Sequence, residues 1–316
     1  VRRRRRSRQL TIRLTLAVPT HNRAATLGDT LASLAAQSLP EGVETECIVI
    51  DNNSSDGTPA VVEEAAAHAP FAMRRVFETG PGSSFARNRA IDEAAGDFIL
   101  FIDDDAVADS NWAALMLSAL ERRGLDAAGG MVLPRWEITP PRWLGPSLYV
   151  RFAVHDQHAI AAAPLKDAEA LRNYFSANAG FRRECFTRFG RFREDLGVVG
   201  GNPISGEDTD LFARIIEDGG AMGFVAEARV FHLVPAARMN RRYLRRKAFA
   251  FGVGTAQAGG RSHNHFDKLA RNAMRMVVAE ARCDRERAIC HELECANFFG
   301  YWWGRLLKRG APLVTR

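Results

Sequence analysis

The sequence predicts an α/β protein with a mainly parallel central sheet flanked by helices and a helical C-terminal extension. Three observations predict it. Between Leu14 and Ile102, short β-rich strings alternate with longer helical ones, and strand, crossover helix, strand is the repeat of a parallel sheet covered on both faces. The last of these strings, FILFI, is apolar at every position, as a strand buried on both sides must be. From Met239 onward the pattern is helical alone.

Leu14 to Val18 reads as a strand, THNR as a turn and Ala24 to Gln37 as a helix. Glu46 to Ile50 is the second strand, and DNNSSDGTP after it is a loop, because Asn, Asp, Ser and Gly favour turns and Pro59 suits a first helical turn. Ala60 to Ala69 follows as a helix, Met73 to Glu78 as a strand, GPGSS as a turn, Phe85 to Ala95 as a helix and Asp97 to Ile102 as a strand. Asn111 to Arg123 predicts a helix and Gly129 to Leu133 a strand. Pro134 to Pro146, with four prolines and two tryptophans, predicts a loop or lid. Asn178 to Arg182 reads as a short strand, Gly197 to Gly206 as a mobile glycine-rich segment, Glu207 to Asp218 as a helix and Met222 to His232 as a strand.

These elements divide the chain into a basic arm over 1–12, an α/β domain over 13–235 that falls into halves over 13–110 and 111–235, and a helical extension over 236–316. The composition, 47% hydrophobic and 25% charged over 316 residues, is that of a globular chain. Five cysteines without tight metal-type pairs predict reduced thiols and a cytoplasmic location, peripheral on the inner membrane face. No apolar stretch reaches the roughly 18 to 20 residues of a membrane span. The net charge of +6 is concentrated in Arg2 to Arg6 with Arg8, and in the arginines from Arg238 to Arg246 with Lys247.

The run FILFIDDDAV poses the chemical question, since it sets three carboxylates against a buried strand. Asp51 closes the second strand, so Asp51, Asp103, Asp104 and Asp105 fall at strand carboxyl ends, where open α/β sheets place ligands. Crowded carboxylates need protons or cations, and a hard divalent ion such as Mg²⁺ or Mn²⁺ matches oxygen ligands. Neither GxxxxGK[ST] nor GxGxxG follows a strand; VPTHNR stands after the first, which disfavours the common triphosphate and dinucleotide cradles. Sugar transfer from a nucleotide diphosphate is one reaction that fits, because its leaving group gathers charge that a metal and an arginine stabilise. SGEDTDL supplies candidate bases at a helix start. His232 is either a packed histidine or a ligand, and Arg87 and Arg89 are either phosphate contacts or exposed helix residues.

The stretches VPTHNR, VIDNNSSDGT, GSSFARNRA, FIDDD, NAGFRRE and GEDTDL occur in that order between Thr15 and His232. Together they resemble family 2 of the glycosyltransferases, inverting nucleotide-sugar-dependent enzymes with the GT-A fold. The resemblance implies a donor pocket of Pro19, Thr20, Asn22, Arg23, Asp51, Asn53, Arg87, Asp103 and Asp104, with Asp51 at the base. It implies Asp105, Asp103 and His232 as metal residues, Asp208 as general base and Glu207 beside it. A nucleotide-sugar donor, UDP-sugar first, and a small-molecule, glycan or lipid-linked acceptor follow, with 13–235 as the catalytic domain, 13–110 its nucleotide-binding half and 111–235 its acceptor-binding half. The sugar-reading loop is expected over Pro134 to Asp167. The absence of a QxxRW string after His232 departs from processive members and favours single-sugar addition.

The segment RMNRRYLRRKAFAFGVG is open to three readings: membrane phosphates, a leaving diphosphate, or a solvated helix face. The aromatic cluster from Phe298 to Trp303 fits lipid contact, cover for the catalytic domain, or a homodimer. Two rival functions meet objections in the sequence. Metal-dependent nucleotidyl transfer to a sugar phosphate would need a glycine-rich basic first loop, and nucleic-acid binding through the basic termini conflicts with the acidic constellation.

Overall fold

The computed structural model describes residues 11–156, 174–197, 206–257 and 266–310. Residues 1–10 of the expected basic arm, 198–205 of the glycine-rich segment and 157–167 of the expected sugar-reading loop lie outside the described residues.

The chain runs β1 (Ile12–Thr20), α1 (Ala24–Ala35), β2 (Val43–Asp51), α2 (Thr58–His68), β3 (Ala72–Phe77), α3 (Ser83–Glu93) and β4 (Phe98–Ile102). It continues through β5 (Ala106–Ala108), α4 (Trp112–Arg122), β6 (Ala127–Trp136), a 3-10 helix (Pro146–Phe152), β7 (Asn178–Arg182) and α5 (Cys185–Arg188). Then come α6 (Glu207–Glu217), β8 (Met222–Val234), α7 (Arg241–Gln257), α8 (Phe266–Ala281) and α9 (Arg285–Gly310). One eight-stranded sheet has the order β3-β2-β1-β4-β7-β6-β8-β5. β3, β2, β1 and β4 are parallel to one another. β7 enters antiparallel between β4 and β6, and β6 and β8 are parallel.

Alternation along the first strands sorts their side chains into two apolar layers. Leu14, Leu16, Val18, Val49, Leu100 and Ile102 face one, while Ala17, Ile48, Ile50, Ile99 and Phe101 face the other. With both faces dry, the polar chemistry is displaced to the sheet's carboxyl edge. Leu244, Ala248, Ile289 and Leu293 of α7 and α9 join the first layer, so the C-terminal helices share the core of the sheet.

Two elements depart from expectation. β6 continues through Pro134 to Trp136 instead of ending at Leu133. β7 pairs with β6 only from Ala127 to Gly129, so beyond that point β8 is the one strand neighbour of β6 among the described residues and a missing N–H is tolerated. β5, three residues long, is an added strand that pairs with β8. Where β6 and β8 shift register at Gly130, a Cβ would lie 2.4 Å from Asn178 Nδ2. That amide is fully buried, donates to the carbonyls of Met131 and Ala228 and accepts from Trp112 Nε1. Glycine is therefore required there. All five cysteines are unpaired, and no helix among the described residues is long and apolar enough to cross a membrane.

Candidate active site

A cleft of about 820 Å³ opens at the carboxyl edge of β1, β2 and β4. Pro19 and Thr20 at the end of β1, Arg23 after it, Asn53 after β2, Arg87 of α3, Asp103 and Asp104 after β4, and Glu207 and Asp208 of α6 all line it. The turn after β2 is held in shape by Asn52, whose side-chain amide donates to the carbonyls of Glu78 and Gly80 and accepts from the Gly82 N–H.

The three adjacent carboxylates are not equivalent. Asp103 is partly exposed and faces the cleft. Burial, reinforced by the charge of Asp105, pushes Asp104 up to about 7, so this member holds a proton near neutrality. Burial alone would also raise Asp105, but a 2.9 Å hydrogen bond from His232 Nε2, with the charges of His232, Arg23 and Arg238, brings it down to about 2. The crowding expected from sequence is thus relieved by one proton and by cations arranged around Asp105.

Asp103, Asp105 and His232 each offer a ligand atom, and these atoms lie within 4.8 Å of one another. His232 Nδ1 is buried without a hydrogen-bond partner. Two carboxylates and an imidazole suit a divalent ion of the Mg²⁺ and Mn²⁺ type, the nitrogen favouring Mn²⁺ of the two. β5 positions the set: Ala106 pairs with His232 across the β5–β8 ladder, and the Leu233 N–H donates to the Asp105 carbonyl.

Arg87 links this strand end to α6. Its Nη1 donates to Glu207 Oε1 at 2.8 Å and its Nη2 to Asp103 Oδ1 at 3.4 Å. Glu207 also accepts from Ser83 Oγ and from the Gly206 N–H, so it fastens the start of α6 to the start of α3. Gly206, at φ 126°, adopts a backbone conformation that favours glycine immediately before the helix. Asp208, next along, points into the cleft; burial first, then the neighbouring Glu207, raises it to about 6. Its Oδ1 accepts from the Thr209 N–H at 2.8 Å, and Ser176 approaches Oδ2 at 3.4 Å.

Asn22 and Asp51 are not brought to the cleft surface. Asp51 is 1% exposed, accepts from Arg75 Nη1 at 2.9 Å and from the Ser54 N–H, and shapes the turn from beneath. Asn22, at φ 53°, accepts from the Ser55 N–H and ties the turn after β1 to the turn after β2. Asp105 and His232 lie below the cleft floor. Arg89 pairs with Glu93 on the exposed side of α3, so Arg87 alone of that pair serves the cleft.

The opposite wall was the less legible one. Arg151 after the proline-rich segment, Arg238 before α7, Lys247 and Phe251 of α7, Lys268 of α8, and Glu294 of α9 all line the cleft. Arg241 and Arg245 point elsewhere and pair with Glu292 of α9. Lys247, Phe251 and Thr255 are spaced by four and so share one helical face; a lysine in register with that face was the available signal.

Three kinds of likeness bear on this arrangement. The model described as Glycosyl transferase family 2 matches residues 15–189. The succinoglycan biosynthesis protein ExoM of Rhizobium meliloti (strain 1021) is 32% identical over 243 residues, covering 77% of this chain and 74% of that protein. The mannosyltransferase PcManGT of Pyrobaculum calidifontis, solved with GDP-Man and Mn²⁺, superposes with a TM-score of 0.59 at 21% identity, covering 98% of this chain and 77% of that one. The S. aureus TarS 1–349 structure with UDP gives a TM-score of 0.52 at 16% identity, covering 94% and 91%. The architecture is thus the GT-A type, and the chain belongs to glycosyl transferase family 2.

Proposed function

We propose that this inverting, metal-assisted glycosyltransferase moves one sugar from a nucleotide diphosphate sugar, UDP-sugar first among donors, to a hydroxyl or amine of a glycan, small-molecule or lipid-linked acceptor. One observation carries the reading: Asp208, raised to about 6, faces the same cleft as Asp103, with the buried Arg87–Glu207 pair fixing the two sides. A carboxylate tuned toward neutrality suits removal of a proton from an attacking oxygen. Asp103, Asp105 and His232 would hold the divalent ion, which supplies neutralisation of the diphosphate charge when bound. Pro19, Thr20, Arg23 and Asn53 would bound the nucleoside side of the donor, with Asp51 acting through the turn it braces.

Relatives support the substrate class. TarS of S. aureus was also solved with UDP-GlcNAc. A glucosyl-dolichyl phosphate glucuronosyltransferase of Haloferax volcanii is 24% identical over 66% of this chain, which favours a lipid-linked acceptor. An apolar groove on the outer side of α7 and α9 supports peripheral membrane contact: Phe249, Phe299, Trp303 and Leu307 line it beside Arg245 and Arg246. Glu292 also lines the groove and pairs with Arg245, which leaves Arg246 as the charge that an anionic lipid surface would complement.

Calorimetry with UDP, GDP and dTDP in Mn²⁺ or Mg²⁺, followed by the corresponding sugar conjugates, tests the reading. Metal-dependent binding of at least one diphosphate is expected. Binding of none would reject the function.

A further inference from the structure

We propose that Lys247, on α7 and beyond the stretch matched by the family model, is the cation that receives the departing β-phosphate of the donor. The inference rests on the proposed transfer and deepens it. Among the described residues, every other arginine or lysine lining the cleft has a carboxylate within reach. Arg23 and Arg238 face the Asp104–Asp105 pair, Arg87 has Glu207, and Arg151 and Lys268 share Glu294. Lys247 lines the same cleft and has no ion pair or hydrogen bond of its own among the described residues.

Lys247 shares the cleft with Asp103, on the ion-holding side of the proposed site, and with Asp208, on the side of the attacking oxygen. The charges of Asp208 and Asp103 favour its ammonium, and those of Arg238 and Arg151 oppose it. Burial, followed by the charge of Arg238, pushes Lys247 down to about 8, the mark of an ammonium held without its counter-charge. Nearby arginines are committed to carboxylates in fixed geometry, whereas a lysine is a movable point charge that can follow a phosphate as its charge grows.

During transfer, the bond between the anomeric carbon and the β-phosphate oxygen breaks, and its electron pair stays on that oxygen. The acceptor oxygen bonds to the same carbon and its proton passes to Asp208. The nucleotide leaves with one more negative charge than it carried as part of the donor. The Lys247 ammonium gains no bond and loses no proton; it lies where that charge appears.

The test compares wild type, Lys247→Met and Lys247→Arg, with circular dichroism and melting as folding controls. Affinities are measured for UDP and GDP and for UMP and GMP, each with Mn²⁺ and with EDTA. For the diphosphate that wild type binds, Lys247→Met should weaken affinity about tenfold in both conditions and leave the monophosphate unchanged. Lys247→Arg should recover most of the loss, and kcat should fall in Lys247→Met with the acceptor KM unaltered. Equal diphosphate affinity in Lys247→Met and wild type, or an effect confined to acceptor KM, overturns the assignment. Failure of wild type to bind any nucleoside diphosphate would instead overturn the function on which it rests.

Discussion

Arg87 and Glu207 form a buried ion pair, 2.8 Å from Nη1 to Oε1, between helices whose starts lie 124 residues apart at the Ser83–Glu207 hydrogen bond. Both side chains are only 7% exposed. The second guanidinium nitrogen reaches Asp103, so one arginine spans from the proposed metal edge to the proposed base. Such a pair adds little net stability over an apolar replacement, but loss of one partner strands the other charge out of water.

Arg87→Ala is therefore expected to destabilise the fold by about 3 to 5 kcal/mol and to lower transfer through displacement of α6. Urea denaturation measures the first effect. Glu207→Gln keeps one acceptor oxygen for Ser83 and Arg87 but turns an amide NH2 toward the Gly206 N–H and removes the counter-charge of Arg87, so it should also lower the urea midpoint. If Arg87→Ala unfolds at the wild-type urea midpoint, the pair does not brace the two helices.

Asp208 sets a pH dependence. A general base must be deprotonated, and this carboxyl is raised to about 6 by burial and by Glu207. The kcat/KM for transfer should then fall as pH drops through about 6 and hold from there to about 8, where Lys247 loses its proton in the free enzyme. Asp208→Asn should reduce kcat by roughly 10²- to 10⁴-fold and spare diphosphate binding, as read by calorimetry. An unchanged acid limb in the residual activity of Asp208→Asn would assign that limb to another group.

The metal residues make a separable prediction. Asp105 is held at about 2 by His232 and two arginines despite its burial, so it is charged and ready for a cation at any working pH. In wild type, Mn²⁺ should raise the melting temperature and strengthen diphosphate binding, and EDTA should reverse both. Asp105→Asn and His232→Ala should each weaken the Mn²⁺-dependent part of diphosphate binding by about tenfold or more. A full Mn²⁺ response in both variants would place the ion elsewhere.

What the sequence made legible was local. The alternation of Leu14, Leu16 and Val18 against Ala17 specifies a strand with two buried faces, and FILFI against DDD marks its ligand end. Less legible features depended on distant partners. Pro134 argues against a strand unless one knows that the pairing with β7 stops at Gly129 and that, among the described residues, no other strand takes that side of β6. β5 is too short to carry a period, yet it aligns Asp105 with His232. Asp51 looks like a ligand contact by its place at a strand end, whereas Arg75 on β3 draws it below the floor. The cationic wall needed α7 to be docked before the cleft-facing Lys247 could be told from Arg241 and Arg245, which turn toward Glu292.

The outer face of α9 leads to the final prediction. Phe299, Trp303, Leu306 and Leu307 are each at least half exposed, and an apolar surface of that kind in contact with water is a liability unless something covers it. Aromatic and aliphatic side chains beside arginines match the boundary between acyl chains and anionic headgroups. The full chain should co-sediment with vesicles of phosphatidylcholine mixed with phosphatidylglycerol, less with phosphatidylcholine alone, and less as salt is raised. Trp303→Ser combined with Leu307→Ser should release it with the melting temperature maintained, because those side chains already face solvent. If light scattering instead finds a stable dimer that the same double variant dissociates, and vesicles bind neither protein, the groove joins two copies of the chain and lipid contact is refuted.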